Sequence, residues 1–252
     1  MMTLPRVVAA ETLDGMAEDD PAAMRSRRDL QRIHRLMGTR GIMARALWRL
    51  LTSRPAGAPL RLLELGAGDG SLMLGVARTL GARQPAVDIT LLDRQDLVTR
   101  STLDGYARLG WTASTQVVDV LDWALSHSPA VREPSVRWDV IVANLFLHHF
   151  EGPALAMLLT AIESRARRFL ACEPRRARLA LAGSHLVGAI GANAVTRQDA
   201  VLSVHAGFRD QELSALWPGH RSFWTLGESP AGLFSHCFFA ERSGLGGAEA
   251  PS

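Results

Sequence analysis

The chain has 252 residues, of which 47% are hydrophobic and 21% charged, and its formal net charge is +3. This composition is ordinary for a globular protein and allows one α/β domain with additions. The two cysteines, Cys172 and Cys237, argue against a disulfide framework or a zinc site, so we expect free thiols and no metal ion. The sequence shows no signal peptide, no internal repeat and no apolar run of membrane-spanning length, and we expect a cytoplasmic protein.

The predicted elements begin with helices. Residues 1 to about 17 lack a clear period, and we expect them to be loosely held. Apolar residues at helical spacing predict one helix from Pro21 to about Met37 and another from about Ile42 to Leu51, ahead of a turn-rich linker at 55–59. We expect residues 1–56 to form an N-terminal helical cap, with a buttress against the following sheet as the alternative.

The core, residues 57–242, alternates strand and helix, which is the pattern of a parallel sheet. Strands are predicted at 60–65, 87–92, 115–118, 138–143 and 168–172, and helices at 71–80, 96–109 and 153–164. The segment 175–219 is long for a plain crossover, and we interpret it as an insertion on the substrate side. Two strand-like runs follow at 222–226 and 233–240, and the tail 243–252 is predicted to be disordered.

The most informative stretch follows the first predicted strand. It is an acid followed by three alternating glycines, namely Glu64, Gly66, Gly68 and Gly70. A dinucleotide fingerprint would need a glycine at Ser71, and a phosphate-binding loop of the Walker type would need a lysine that is absent. An acid with alternating glycines resembles motif I of the class I, Rossmann-like, S-adenosylmethionine (SAM) methyltransferases.

This resemblance implies a fold and a cofactor. The fold would be a doubly wound, mostly parallel, seven-stranded α/β sheet that ends in an antiparallel hairpin. The cofactor would be SAM, with S-adenosylhomocysteine as its product. Glu64 would bind the SAM ammonium, and the backbone of Gly66, Ala67 and Gly68 would lie against the methionine and ribose portions.

Acidic residues end the next two predicted strands, where ligands bind in open parallel sheets. Asp93 is placed to accept hydrogen bonds from the ribose hydroxyls, and Arg94 to lie beside the adenine. By the same resemblance, Asp119 would accept from the adenine amino group and the N–H of Val120 would donate to the ring. Asp122 is the rival acid, and it fits a helix N-cap better.

The fourth predicted strand runs into Asn144-Leu-Phe-Leu-His-His-Phe150. Many small-molecule methyltransferases have a similar Leu-His-His segment between SAM and the acceptor. Asn144 would border the methionine portion, and Phe146 would line the acceptor pocket. His148, or alternatively His149, would act as a general base with a neutral imidazole of pKa about 6.5. The alternative is that both histidines only cap the next helix.

Two further residues are candidates for the acceptor side. Glu173 ends the fifth predicted strand and would orient a catalytic histidine, or would instead pair with Arg175 or Arg176. His185 lies in the 175–219 insertion and is predicted to line the acceptor pocket.

The resemblance implies SAM-dependent methylation of a small molecule, and the segments 19–37 and 208–217 resemble a subgroup linked to secondary metabolism. The expected acceptor is a hydroxyl of a phenolic or polyketide-type natural product. An RNA or protein methyltransferase and a non-catalytic SAM-binding partner subunit are the alternatives. The arginines between 165 and 178 are interpreted as a solvated face, so no nucleic-acid or membrane partner is expected, and a homodimer is a possible assembly.

Overall fold

A computed structural model of the protein describes residues 4–51, 59–81, 86–126 and 138–243. The predicted tail from residue 244 onward and most of the predicted linker lie outside these residues. The helices are α1 (Pro21–Leu36), α2 (Thr39–Leu51), α3 (Ser71–Leu80), α4 (Arg100–Ala107), α5 (Val120–Leu125), α6 (Gly152–Arg165), α7 (Arg178–His185), α8 (Ala194–Ala206) and α9 (Glu212–Leu216). The strands are β1 (Leu60–Leu65), β2 (Val87–Asp93), β3 (Trp111–Val117), β4 (Val140–Asn144), β5 (Arg168–Pro174), β6 (Trp224–Ala231) and β7 (Ser235–Arg242).

The strands form one seven-stranded sheet in the order β3-β2-β1-β4-β5-β7-β6. Strands β1 to β5 are parallel, and β7 pairs antiparallel with both β5 and β6. The predicted doubly wound α/β fold with a C-terminal antiparallel hairpin is therefore confirmed. Strand order reverses between β1 and β4, so a crevice for a ligand is expected beyond the carboxyl ends of these two strands.

Helices cover both faces of the sheet because its central strands are apolar on both sides. In β1, Leu63 and Leu65 pack in the cluster that includes the buried residues of α5 and α6, and Leu60 and Leu62 pack in the cluster that includes α2 and α3. Each of these four leucines is 0% exposed. With both faces buried, a ligand has access to the central strands only at their ends.

The predicted boundaries were wrong at the sheet edges. The third strand begins at Trp111, four residues before its predicted start, and pairs there with Val87. From Thr112 onward β3 is largely exposed, so it lacks the apolar pattern by which a strand is recognised. The first hairpin strand likewise continues to Ala231, through a segment expected to be a loop.

The two N-terminal helices have different positions, and the predicted cap over residues 1–56 stays a prediction. Helix α2 is a buttress, since Met43 and Leu47 are fully buried in the core on the α3 side. Helix α1 lies at the carboxyl edge of the sheet, where Gln31 Nε2 donates to Asp69 Oδ2 of the glycine-rich turn (2.6 Å).

The segment before α1 is not loose, which corrects the expectation for the first residues. Residues 4–20, here called the N-terminal strap, cross the carboxyl edge of the sheet. Val7 N–H donates to a carbonyl of α8 (3.1 Å), and the N–H groups of Thr12 and Leu13 donate to the two carboxylate oxygens of Asp199 (both 2.9 Å). At the other end, Gln95 Nε2 donates to the carbonyl of Met16 (3.3 Å).

Two smaller points complete the fold. Cys172 and Cys237 are opposite one another in β5 and β7, and both are free thiols. Within the described ranges, no helix has the length and apolar character needed to cross a membrane.

Candidate cofactor and acceptor site

The backbone of the turn after β1 strongly favours glycines. Gly66, Gly68 and Gly70 have left-handed φ angles of +66°, +55° and +70°. A Cβ on Gly66 would lie 2.2 Å from the ring of Phe146, whereas a Cβ on Gly68 would meet no atom within 4 Å. Tyr106 is fully buried, and its hydroxyl donates to the carbonyl of Gly70 (2.8 Å). The turn is thus held rigidly, and it leaves open space at Gly68.

Two buried hydrogen-bond acceptors lie next to this turn without a partner. Glu64 is 2% exposed and Asn144 is 8% exposed. Neither Glu64 Oε2 nor Asn144 Oδ1 has a hydrogen-bond partner among the described residues. Burial raises the pKa of Glu64 well above its usual value, and Asp69 and Asp93 add to this effect. Unsatisfied buried acceptors are costly, so this pair is a place where a ligand with N–H donors would fit.

The carboxylate of Asp93 is fixed beside the same turn. Its Oδ2 accepts from the N–H of Gly68 (2.8 Å) and its Oδ1 from the N–H of Gln95 (3.0 Å). Each carboxylate oxygen can accept a further hydrogen bond, as the predicted ribose contact requires. Arg94 donates to the carbonyl of Asp14 in the strap and lies 3.7 Å from its carboxylate, so its predicted place beside adenine stays a prediction.

Asp119 caps helix α5, because its Oδ1 accepts from the N–H of Leu121 (2.7 Å). The expectation that Asp122 would be the cap was wrong, since Asp122 lies inside the helix. The N–H of Val118 donates to the carbonyl of Asp93 (2.9 Å), which joins this segment to the end of β2. The predicted adenine contacts of Asp119 and Val120 would use groups that the cap leaves available, and they stay predictions.

Glu173 organises the turn after β4. It is 0% exposed, and its carboxylate accepts from the backbone N–H groups of Phe146, Leu147 and His148 at 2.9–3.3 Å. The turn opens with Leu145 in the left-handed region (φ 49°). A non-glycine residue there is strained, and the Glu173 carboxylate is part of what holds it in place.

The expected alternative for Glu173 does not occur. Arg176 donates instead to Glu212 and to the carbonyl of Gly207 (2.6 Å). Glu173 Oε2 lies 2.9 Å from His148 Nδ1. Glu173, in β5, therefore orients the His148 ring so that its other nitrogen, Nε2, points away from β5.

Glu11 of the strap lies on the side that Nε2 faces. Its Oε1 lies 3.3 Å from His148 Nε2 and also accepts from the hydroxyl of Ser203 in α8. His148 is 1% exposed. Burial alone would lower its pKa, but the hydrogen bonds with Glu11 and Glu173 outweigh burial and raise the pKa to about 9. These hydrogen bonds favour the protonated form of His148 in this state, whereas the predicted role as a base requires the neutral imidazole.

The pKa of His149 shifts in the opposite direction. Its pKa is lowered by burial and by the charge of His148, whose ring centroid is 4.2 Å away. Its Nδ1 lies 3.2 Å from Asp14 Oδ2 in the strap. Donor atoms of Glu11, His148 and His149 lie within 4.8 Å of one another and would suit a metal ion. Glu11 and His148 already hydrogen-bond to one another, and His149 faces Asp14, so the geometry does not require an ion.

The remaining acceptor-side candidates are separated. Phe146 is partly buried between the Gly66 turn and Phe150, whose ring centroid is 5.3 Å away. His185 is exposed at the last residue of α7, and none of the contacts in the described part of the chain joins it to the histidine pair. Its predicted lining role has no support from these contacts.

Sequence reasoning missed the strap residues Glu11 and Asp14. No periodic pattern marks them, and their histidine partners lie far along the chain.

No protein-family model matches the chain, and no curated protein matches it either. Solved structures do resemble it. The plantazolicin methyltransferase BpumL in complex with SAH is 14% identical, with a TM-score of 0.57 over 89% of this chain and 91% of that one. The plantazolicin methyltransferase BamL in complex with a triazolic desmethylPZN analog and SAH is 13% identical, with a TM-score of 0.58 over 91% and 93%. Together with the strand order, these similarities show that the chain has the fold of the class I SAM-dependent methyltransferases.

Proposed function

We propose that the protein binds SAM and transfers its methyl group to a small molecule. The observation that carries this proposal is the pair of buried, unpaired acceptors, Glu64 Oε2 and Asn144 Oδ1, at the glycine turn. The SAM ammonium has three N–H donors and a positive charge, so it would satisfy both oxygens and favour the ionised form of Glu64. The open space at Gly68 admits a ligand, and Asp93 is fixed beside it.

SAM supplies a reactive methyl sulfonium, so the task of the protein is to align the acceptor and to exclude water. The strap, α1 and α8 supply the cover, since they contact one another above the ends of the central strands. The similar plantazolicin methyltransferases were solved with SAH and with desmethylPZN analogs, which supports a natural-product acceptor here. A cover of this kind over the strand ends would also favour a small molecule over RNA or protein.

We further propose that the acceptor atom is a hydroxyl oxygen of a phenolic or polyketide-type compound. A neutral hydroxyl must lose its proton as the methyl group arrives, and His148, held by Glu173, is oriented to accept it. The acceptor would take the place of Glu11 in front of Nε2. His148 would then have one carboxylate neighbour instead of two, so its pKa would fall. The Nε2 proton would leave with the Glu11 carboxylate or pass to solvent, and the neutral ring could then act as a base.

In this sequence of events the acceptor proton moves to His148 Nε2, and Glu173 stabilises the resulting imidazolium through Nδ1–H. A positioned base of this type contributes about 10²- to 10⁴-fold to the rate. Without an acceptor, Glu11 keeps His148 protonated, and the base is unavailable.

The cofactor proposal is tested by calorimetric titration with SAM and SAH. We expect binding to the wild type and a loss of about 10- to 100-fold in affinity for Glu64→Gln, which removes the charge that meets the ammonium. Asp88→Asn is the matched control, because Asp88 is an exposed acid in β2. Absence of binding by the wild type, or binding of a nicotinamide cofactor instead, would refute the proposal.

The acceptor proposal is tested with a panel of phenols and polyketide-type compounds and mass spectrometry of the products. We expect O-methylated products. Methylation at nitrogen or carbon would contradict the hydroxyl proposal alone. SAM binding with no product from any acceptor would favour a non-catalytic SAM-binding subunit, and turnover of RNA or protein alone would favour the macromolecular alternative.

A further inference from the structure

The two cysteines of the chain lie directly opposite one another on neighbouring strands. Cys172 of β5 pairs with Cys237 of β7 in the antiparallel ladder, and both side chains lie on the side of the sheet that packs against α2 and α3. Residues paired in this way have Cβ atoms about 4.5–5.5 Å apart. A disulfide needs Cβ atoms about 3.5–4.5 Å apart, so a small local movement would allow the two sulfurs to join.

The two thiols differ in exposure and in acidity. Cys172 is 0% exposed, whereas Cys237 is only partly buried. A hydrogen bond between the two thiols lowers the pKa of Cys237 against the opposing effect of burial, and the charge of Arg45 on α2 also lowers it. The same hydrogen bond, together with burial, raises the pKa of Cys172. Cys237 is therefore the more accessible of the two sulfurs and the one that ionises more readily.

This asymmetry is the one that a peroxide-sensitive cysteine pair requires. An accessible thiolate is oxidised first, to a sulfenic acid, and a neighbouring thiol then converts the sulfenic acid to a disulfide. Cys237 fits the first role, and Cys172, directly opposite, fits the second. We propose that Cys237 and Cys172 form an intrachain disulfide in response to hydrogen peroxide, and that this disulfide alters the turn that carries His148.

The chemistry balances with hydrogen peroxide as the oxidant. The thiolate of Cys237 attacks one peroxide oxygen, the O–O bond breaks, and hydroxide leaves as the sulfenic acid forms. The sulfur of Cys172 then attacks the sulfur of Cys237, the S–O bond breaks, and the hydroxyl group leaves as water with the proton of the Cys172 thiol. In sum, two thiols lose two electrons and two protons, and one peroxide molecule becomes two water molecules.

The disulfide would lie directly behind the histidine turn. The carbonyl of Cys172 accepts from the N–H of Leu145 (2.9 Å), and the next residue, Glu173, holds the His148 ring. Closing the disulfide would draw β5 and β7 together by about 1 Å at this point. Leu145 has a left-handed backbone that only its surroundings hold in place, so a movement of Cys172 should reach His148.

The proposal is tested by treating the folded protein with hydrogen peroxide and then alkylating the remaining thiols. The wild type should lose both reactive thiols together, with a mass decrease of about 2 Da and no dimer on a non-reducing gel. Peptide mapping should join the peptide of Cys172 to that of Cys237, and dithiothreitol should restore both thiols. This measurement needs no variant, so a folding defect cannot account for its result.

Single variants separate the roles of the two cysteines. Cys172→Ala lacks the second thiol, so peroxide should leave a sulfenic acid at Cys237, which dimedone labels. Cys237→Ser should resist oxidation at its remaining thiol, because Cys172 is buried. The NMR signals of the His148 ring should shift when the wild type is oxidised and should stay unchanged in peroxide-treated Cys237→Ser, which controls for oxidation elsewhere.

The possible outcomes are distinct. If the wild type keeps both thiols at peroxide concentrations that oxidise free cysteine, or forms only disulfides between chains, the pair is refuted. Dimedone labelling of Cys172 in Cys237→Ser would overturn the assigned roles, and unchanged His148 signals in the oxidised wild type would refute the connection with the turn. None of these measurements requires SAM, so failure of the proposed function would leave their outcome unaffected.

Discussion

Replacing Glu11 by Gln should change the protonation of a histidine in a distant part of the chain. Glu11 Oε1 lies 3.3 Å from His148 Nε2, and Glu173 holds the other ring nitrogen. The pKa of His148 is raised from 6.5 to about 9, a difference worth about 3 kcal/mol at about 1.4 kcal/mol per pH unit. Burial opposes the two carboxylates, so together they raise the pKa by more than this net difference. If they share the effect, Glu11→Gln should lower the pKa by more than about one pH unit.

The pKa of Glu11 shifts in the direction expected for the partner of a protonated histidine. Burial would raise the pKa of Glu11, but its hydrogen bond with His148 lowers the pKa overall. Because the folded-state pKa of His148 exceeds its unfolded value, the stabilisation is fully present below about pH 6.5 and is lost as the pH rises through about 9. The wild type should therefore exceed Glu11→Gln in unfolding free energy at pH 6, and this difference should shrink by pH 9.

The direct assay is an NMR titration of the His148 ring between pH 5 and 10 in both proteins. Glu18→Gln is the matched control, because Glu18 is a strap acid that accepts instead from the N–H of Asp96 (3.1 Å). If methyl transfer to a hydroxyl is established, the rise of kcat/KM with pH should move to lower pH in Glu11→Gln, since this profile reports the pKa of the free enzyme's base. An identical His148 titration in all three proteins would refute the ion pair and the reasoning built on it.

Three other changes have expected outcomes. Asp93→Ala should weaken SAM binding at least about tenfold in calorimetry, because it removes the proposed acceptor for the ribose hydroxyls, and unchanged affinity would remove Asp93 from the site. His148→Ala should reduce turnover by about 10²- to 10⁴-fold with little change in SAM affinity, and such a loss in His149→Ala alone would transfer the role of base to His149. Tyr106→Phe should lower the unfolding free energy by about 1 kcal/mol in urea titrations, because the carbonyl of Gly70 loses its buried donor, and equal stability would contradict that contact.

The central fold could be predicted because its signals are local and strong. β1 is an apolar run, and the left-handed residues that follow it are glycines. Edge strands give weaker signals, which explains the error at β3. Trp111 is buried against Tyr106, with ring centroids 5.9 Å apart, but the residues after it face solvent and read as irregular.

The candidate site could be predicted only in part, because some of its residues lie far apart along the chain. Asn144, Glu173 and the glycines lie at strand ends, and a parallel sheet brings its carboxyl ends to one edge. Glu11 is 137 residues from His148, and nothing in its local pattern places it there. The strap is held by contacts with distant side chains and carbonyls, so its position follows from the completed fold and not from its own propensity.

The strap's contacts also indicate how a residue as buried as His148 could be reached. The contact between Arg94 and Asp14 joins side chains that are 49% and 46% exposed, and ion pairs of that kind contribute only about 0–1 kcal/mol each. The apolar core does not include the strap, since the buried clusters begin at Ile42 and at Leu63. Release of the strap would therefore expose the histidines without opening the core, but it would break the strap's hydrogen bonds with Asp199 and with the carbonyls of Ala206 and Phe150. The contact with the largest consequence for the proposed function is that of Glu11 with His148. Under that proposal, an acceptor that displaces Glu11 would both gain access to Nε2 and lower the pKa of the ring that receives its proton.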